Sequence, residues 1–453
     1  MRKMPRAGLT RSASTRSLDF FEKRRRFGRS TINQVLQLGT VIKLQLIAFF
    51  DSLSYGLMYA FLSPHIIVLG GDNLTVGILT SCCTACQLIS GSVVKHIKDG
   101  YTPRESMLII FTFSIISNLL IMVANNYWIV IFARSMYSLT NQVPKFTKAI
   151  LAQLCFAHDT KYHLKVTDAL TKLGLLIGPI IAGLLFEIGF VFACLLATVL
   201  AVSKIGIILT VPEAILEDLS DPEVSKSFVK LAHVPDTDSI LGTILLAIKS
   251  TITNLTRCNL STNWDLLTVK FLYTTSTIVF FSKFTQLLKK NMGCGSKSIG
   301  VTVSYMNAIT FVTPSILRFM KANLQYDSLQ NCFFFSFAIL ATSTMIACVT
   351  SLYSVYLLAC IPIIVCRKYI QTTWTEMFAC RGNRYLKPVI RQIGIIAGLV
   401  IPIAFGILCN YIHAKAVVAF SSIPPLICLM IIKSYSIYQP CVWQMPHKRN
   451  HHG

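Results

Sequence analysis

The feature that most constrains this chain is an apolar run from about Thr40 to Ile67 that carries one carboxylate, Asp51, inside the stretch DSLSYGLMYAFLSP. A helix of about 20 apolar residues, rising 1.5 Å each, crosses the hydrocarbon core of a bilayer, so the run predicts a membrane span with Asp51 near its midplane. A charge at that depth costs at least about 3 kcal/mol unless it is paired, protonated or hydrated. The cost makes Asp51 a candidate coupling or substrate group, with an ion pair inside a helix bundle as the alternative.

The run is one of about twelve, at roughly 40–64, 74–94, 106–124, 127–150, 167–187, 189–211, 266–288, 298–317, 328–348, 352–377, 391–411 and 414–434. With 53% hydrophobic and 13% charged residues, the composition is that of a polytopic membrane protein rather than a soluble one. A formal net charge of +23 would suggest a nucleic-acid partner in a soluble chain. Here the basic residues gather in the N-terminal tail and in alternate connections, and no aromatic-interleaved basic module accompanies them, so nucleic acid is not expected. Lys95, Lys98, Arg104, Lys161, Lys165, Arg318, Lys321, Arg381, Arg384, Lys387 and Arg391 all fall in even-numbered connections or at their edges, which predicts that both termini are cytosolic. Lys289, Lys290 and Lys297 run against that bias. The 15 cysteines lie almost entirely within apolar runs and read as small hydrophobes. Cys83 and Cys86 form a C-x-x-C with no second pair and no nearby histidine, so no metal site is expected.

The predicted organisation is a basic tail over 1–38, held near anionic lipid, a six-helix half over 39–211, a polar cytosolic linker over 212–264, a second six-helix half over 265–436, and a tail over 437–453. The halves repeat weakly. A slide of about 223 brings Gly77 onto Gly300 and Ser81 onto Ser304, and one of about 220 brings Gly174 onto Gly394 and Gly178 onto Gly398, as two parallel halves would leave.

Polar residues recur at helical spacing inside three of the runs. Arg134, Ser138, Asn141, Lys145 and Lys148 are spaced to share one face of a single fourth helix. Arg367, Gln371 and Trp374 share a face of the tenth, and Lys270, Thr274 and Thr277 one of the seventh. By depth, Arg134 is the expected partner of Asp51, with Lys145 next. A cavity so basic favours an anionic or zwitterionic solute. If Arg134 and Arg367 are instead neutralised by Asp51 and Glu376, the pocket suits apolar drugs.

An acid followed by Gly56, Leu57, Met58 and a closing Pro64 resembles the first helix of the major facilitator superfamily, in particular its drug/proton antiporter branch. Gln87 precedes Asp99 by that family's interval, and Asp99 and Arg104 match its loop motif between helices two and three. Lys95 and Thr102 replace the motif's glycines and Pro103 its first arginine. Gly174, Gly178, Pro179 and Gly183 resemble the family's fifth-helix motif, and within the superfamily the chain resembles the domain-containing-protein-9 and organic-cation-transporter-like group. The resemblance implies an all-α fold of about twelve transmembrane helices in two six-helix halves, with helices one, four, seven and ten around a central cavity. It also implies a gating or anti-leak role for the fifth-helix motif. The function implied is transport of a small organic solute by alternating access, with a proton as candidate co-substrate, the bilayer as partner, a monomeric state and no cofactor. The eroded loop motif keeps a non-transporting receptor or scaffold as the alternative. An enzyme is not expected, since His65, His96, His158, His163 and His413 sit at helix ends or in loops and no catalytic motif is present.

Overall fold

A computed structural model describes residues 31–155, 157–212, 253, 260–323, 326–380, 386–412, 416 and 419–438; the predicted linker lies mostly outside them. Among the described residues the regular structure is helical: α1 (Thr31–Tyr59), α2 (Leu62–Val68), α3 (Asn73–Gly100), α4 (Pro103–Val123), α5 (Tyr127–Thr140), α6 (Val143–Leu154), α7 (Ala157–Ile188) and α8 (Phe190–Leu209) in the first half. The second half holds α9 (Leu260–Met292), α10 (Ser296–Asn323), α11 (Tyr326–Val349), α12 (Tyr353–Cys380), α13 (Leu386–Tyr411) and α14 (Ile423–Tyr438). Eight helical stretches are long and apolar enough to cross a membrane by themselves. Counting α1 with α2 and α5 with α6 as single spans gives the fold its twelve crossings, six in each half.

Each interruption lies just ahead of a proline. Proline lacks an amide proton and its ring collides with the carbonyl four residues back, which kinks or breaks a helix there; Pro179 and Pro402, by contrast, sit inside continuous helices. Pro64 lies four residues beyond Ala60 and Pro144 four beyond Thr140, and the chain leaves helical geometry at those two places. The fourth span is therefore two short helices rather than the single one expected over 127–150. Starts of helices are fixed by side chains: Asp72 and Thr75 form a capping box on α3, and Thr102 and Glu105 another on α4, with Pro103 in the first helical turn.

The halves meet along two helix pairs, α3 with α13 and α7 with α10. A Cβ added to Gly77 would strike the Pro402 carbonyl, and one added to Gly300 would strike that of Pro179. A Cβ on Gly183 would come 3.0 Å from the Ser296 carbonyl oxygen, and one on Gly406 2.9 Å from that of Asn73. Between these points Ser81 Oγ donates to the Leu399 carbonyl at 2.6 Å and Ser304 Oγ to that of Leu176 at 2.5 Å. Every contact becomes its partner when both members are shifted by 223 positions, as Gly77 with Pro402 becomes Gly300 with Pro179. The same shift carries Pro179 to Pro402 and Gly183 to Gly406, so one offset of 223 governs both segments at the seam, and the 220 expected for the second does not. Absent side chains bring backbone onto backbone here, as at close helix crossings in membranes. The seam starts at the bundle end that carries the 69–72 and 293–295 connections and reaches to mid-depth. Among the described residues, its close contacts extend inward as far as Thr84 with Gly398 and Leu175 with Asn307.

Candidate functional site

Between the halves, inward of the seam, lies a cavity of about 510 Å³. Its walls come from α1 and α2 (Tyr55, Tyr59, Ser63), α3 (Thr80, Cys83, Gln87), α5 (Arg134, Ser138), α9 (Lys270, Tyr273, Thr277), α12 (Arg367, Gln371) and α13 (Gly394, Gly398). The second and eleventh spans thus join the four expected ones. Three lining side chains are cationic and none is acidic.

Aromatic rings hold each cation. The Arg134 guanidinium carbon sits 5.0 Å from the Tyr55 ring centre and 4.7 Å from that of Tyr137. That of Arg367 lies 4.4 Å from Phe281, and Lys270 Nζ lies 5.3 Å from Tyr273. The Tyr273 hydroxyl donates to the Arg367 carbonyl at 2.8 Å, which ties α9 to α12. Tyr59, half-exposed, is close enough to feel both guanidinium charges, Arg134 from one half and Arg367 from the other. Ring faces attract cations by about 0.5–2 kcal/mol each but leave the charge in place. Among the described residues, no carboxylate lies within ion-pair distance of Arg134, Lys270 or Arg367.

Asp51 is elsewhere. It accepts a hydrogen bond of 2.8 Å from Lys204 Nζ on α8, with side-chain exposures of 4% and 0%, and neither residue lines the cavity. Lys204 Nζ also sits 5.0 Å from the Phe111 ring centre. The expected pair with Arg134 does not form because α1 packs on α8, putting Lys204 against Asp51, while the tyrosines turn the guanidinium to the cavity. Tyr137 divides the two: its ring carries Arg134 and its hydroxyl is within reach of the Asp51 charge. Lys204 was missed by the depth argument applied to Asp51, although it is the only charged residue within Phe190–Leu209.

The fourth-span stripe does not persist as one face, because the break at Pro144 divides it. Arg134 and Ser138 reach the cavity, Asn141 caps α5, Lys145 is exposed on α6 near the like charge of Arg391, and Lys148 pairs with Asp168 of α7. On α12, Arg367 and Gln371 line the cavity, while Trp374 is buried and stacks on Phe333 at 5.9 Å. Gln87 lines the cavity; the side chain of Asp99 is outside the described ones, as is that of Glu376. Arg104 donates to the Leu209 carbonyl at 2.9 Å and Lys43 to that of Thr210 at 2.8 Å, so both close the C-terminus of α8. A Cβ on Gly178 would lie 2.9 Å from the Gly56 Cα, and one on Gly174 2.8 Å from the Phe49 carbonyl oxygen. The fifth-span motif therefore packs α7 onto α1 through Gly174 and Gly178, and onto α10 through Pro179 and Gly183.

No protein-family model matches the sequence, and no curated protein matches it. Solved structures do resemble the fold. The nucleoside transporter NupG aligns with a TM-score of 0.66 at 12% identity, over 87% of this chain and 98% of its own. The peptide transporter PepTSo2 aligns at 0.65 and 11%, over 89% and 99%. The human organic anion transporter MFSD10 (TETRAN) aligns at 0.51 and 13%, over 87% and 99%. At these identities the likeness establishes a fold: the chain has the architecture of major facilitator transporters, and the resemblance to their drug/proton branch in particular goes no further than its motifs.

Proposed function

We propose that this protein is a secondary transporter that moves a small organic anion by alternating access between its halves. One observation carries the reading: three cations converge on a cavity between the halves, and among the described residues that line it none is acidic. A cation at membrane depth needs negative charge close by, and with Asp51 occupied by Lys204 that charge falls to the solute. The tyrosines and Phe281 add flat apolar surface, which suits an anion with an aromatic or otherwise rigid body. The basic bias of the even-numbered connections supports cytosolic termini, and the cavity then faces the cytosol while the seam seals the outer side. The chain acts as a carrier embedded in the bilayer, not as an enzyme, and as a monomer.

Proton coupling through Asp51 is disfavoured by its environment. Neutralising the carboxylate would leave Lys204 charged and fully buried, so we read the pair as a lock within the first half. The neutral-pocket reading loses ground for the same reason, since the acid it assigned to Arg134 is engaged by Lys204.

The test is uptake and counterflow in proteoliposomes with radiolabelled p-aminohippurate, benzoate and phenyl phosphate, beside a nucleoside and a quaternary ammonium drug. Saturable flux of at least one anion, and none of the cation, is expected. Binding without flux by folded protein would favour the receptor reading, and flux of the cation alone would reject the anion site.

A further inference from the structure

Resting on the anion reading above, we infer that the carrier is an obligatory exchanger: the loaded cavity crosses between its two faces and the empty one does not. The cations are divided between the moving bodies, with Arg134 on the first half and Lys270 and Arg367 on the second. Arg134, Tyr59 and Arg367 line the same cavity, which places the two guanidiniums around one space rather than at separate ends. In the conformation described, the seam closes one side of that space, and away from the seam the like charges of Lys145 and Arg391 lie near each other.

Alternating access has to pass through a state closed at both ends. Closing the end away from the seam draws the two walls together and removes water, so the effective dielectric falls and repulsion between cations rises. Among the described residues no acid lines the cavity to offset this; Asp265, buried on α9, is not one of its lining residues. The buried carboxylate beside the cavity, Asp51, is engaged by Lys204 at 2.8 Å behind Tyr137, and none of the lining residues is acidic. A solute anion bridging Arg134 and Arg367 supplies the missing charge and turns repulsion across the gap into attraction. Release on the far side restores the repulsion, and the carrier returns only when it has taken up another anion.

The experiment uses the full-length protein in proteoliposomes whose membrane potential is held at zero with potassium and valinomycin. The interior contains either p-aminohippurate or potassium polyglutamate, whose chains are too large for a cavity of about 510 Å³. Initial uptake of external radiolabelled p-aminohippurate should be at least ~tenfold faster with p-aminohippurate inside, a ratio corresponding to ~1.4 kcal/mol in the barrier for the return step. Equal initial rates in the two interiors would overturn exchange while leaving anion transport intact. No flux in either would instead sink the transport reading beneath it, a separate failure. A gain-of-function variant sharpens the test. Gln371→Glu puts a fixed carboxylate on the cavity wall one helical turn from Arg367, so it should bind p-aminohippurate more weakly yet take it up equally fast from either interior. Retention of full dependence on internal anion by that variant, with its thermal melt unchanged, would show that uncompensated charge does not hold the empty carrier.

Discussion

Two sets of charge lie in the first half, and the fold treats them oppositely. Asp51 and Lys204 are sealed between α1 and α8 and meet at 2.8 Å with almost no exposure. Arg134 is also buried as a residue, yet its guanidinium rests on Tyr55 and Tyr137 with no acid within ion-pair distance among the described residues, and it forms part of a cavity wall. Tyr137 is the partition between them. Charge that is paired can serve as architecture in a low-dielectric bundle, whereas charge left over must be answered from outside. The same contrast separates the halves. The first spends its central acid internally, and the second presents Lys270 and Arg367 to the cavity.

The largest effect expected from breaking this contrast is on the sealed pair. Removing one member of a buried ion pair strands the other, at a cost of about 3–5 kcal/mol, whereas replacing both with neutral groups is often close to neutral. Asp51→Asn and Lys204→Met should each lower the thermal stability of detergent-purified protein strongly, and the double variant should regain most of the loss. A double-mutant cycle gives the coupling directly. If the losses add, the pair is not a lock. Transport by the double variant should persist with an unchanged pH profile. Disappearance of uphill uptake driven by a pH gradient in that variant would return Asp51 to the role of proton site.

Much of this arrangement was legible in the sequence, and the limits were physical. The spans declare themselves because hydrocarbon thickness sets their length, and Asp51, Arg134 and Arg367 stand out because charge at that depth is costly. The repeat was visible as Gly77 over Gly300, since contact at the seam depends on missing side chains. Its second register was misread because Gly394 and Gly398 also match Gly174 and Gly178 at an offset of 220; Pro402 and Gly406 were legible as counterparts of Pro179 and Gly183, and the partner backbone shows that theirs is the offset of the seam. The stripe from Arg134 to Lys148 assumed an unbroken helix, which Pro144 denies. Pair selection was the deepest gap. Depth alone could not rank Arg134 against Lys204, because the choice depends on which helix packs on α1. A search for every charge inside a span would nonetheless have put Lys204 among the candidates.

An intermediate effect, and one of a different kind, is expected at Arg134. A hydrogen bond to a charged group contributes about 1.5–3 kcal/mol, so Arg134→Gln should weaken anion binding by roughly 10- to 150-fold. Its stability should hold or rise, because no carboxylate is left behind when the guanidinium goes. Arg367→Gln should behave alike. Ligand titration together with thermal melts separates the outcomes. A destabilisation as large as that of Lys204→Met would show that Arg134 has a buried partner and that the two sets of charge do not differ after all.

The smallest effect tests whether burial, rather than pairing as such, makes the sealed pair matter. Lys148 on α6 and Asp168 on α7 also form an ion pair, but their side chains are 31% and 51% exposed. Solvent already stabilises both charges there, so the pair adds only about 0–1 kcal/mol, and salt screens what remains within about 8 Å at physiological ionic strength. Lys148→Ala should therefore shift the melt slightly at low salt and not measurably at 1 M. Lys204→Met should keep its full cost at both concentrations, because ions do not reach a residue with no exposed side-chain surface. Equal, salt-sensitive losses at the two sites would mean that water penetrates between α1 and α8. Asp51 would then be hydrated rather than locked, the carboxylate could exchange protons with the cavity, and the charge balance that makes the solute the counter-ion would have to be redrawn around it.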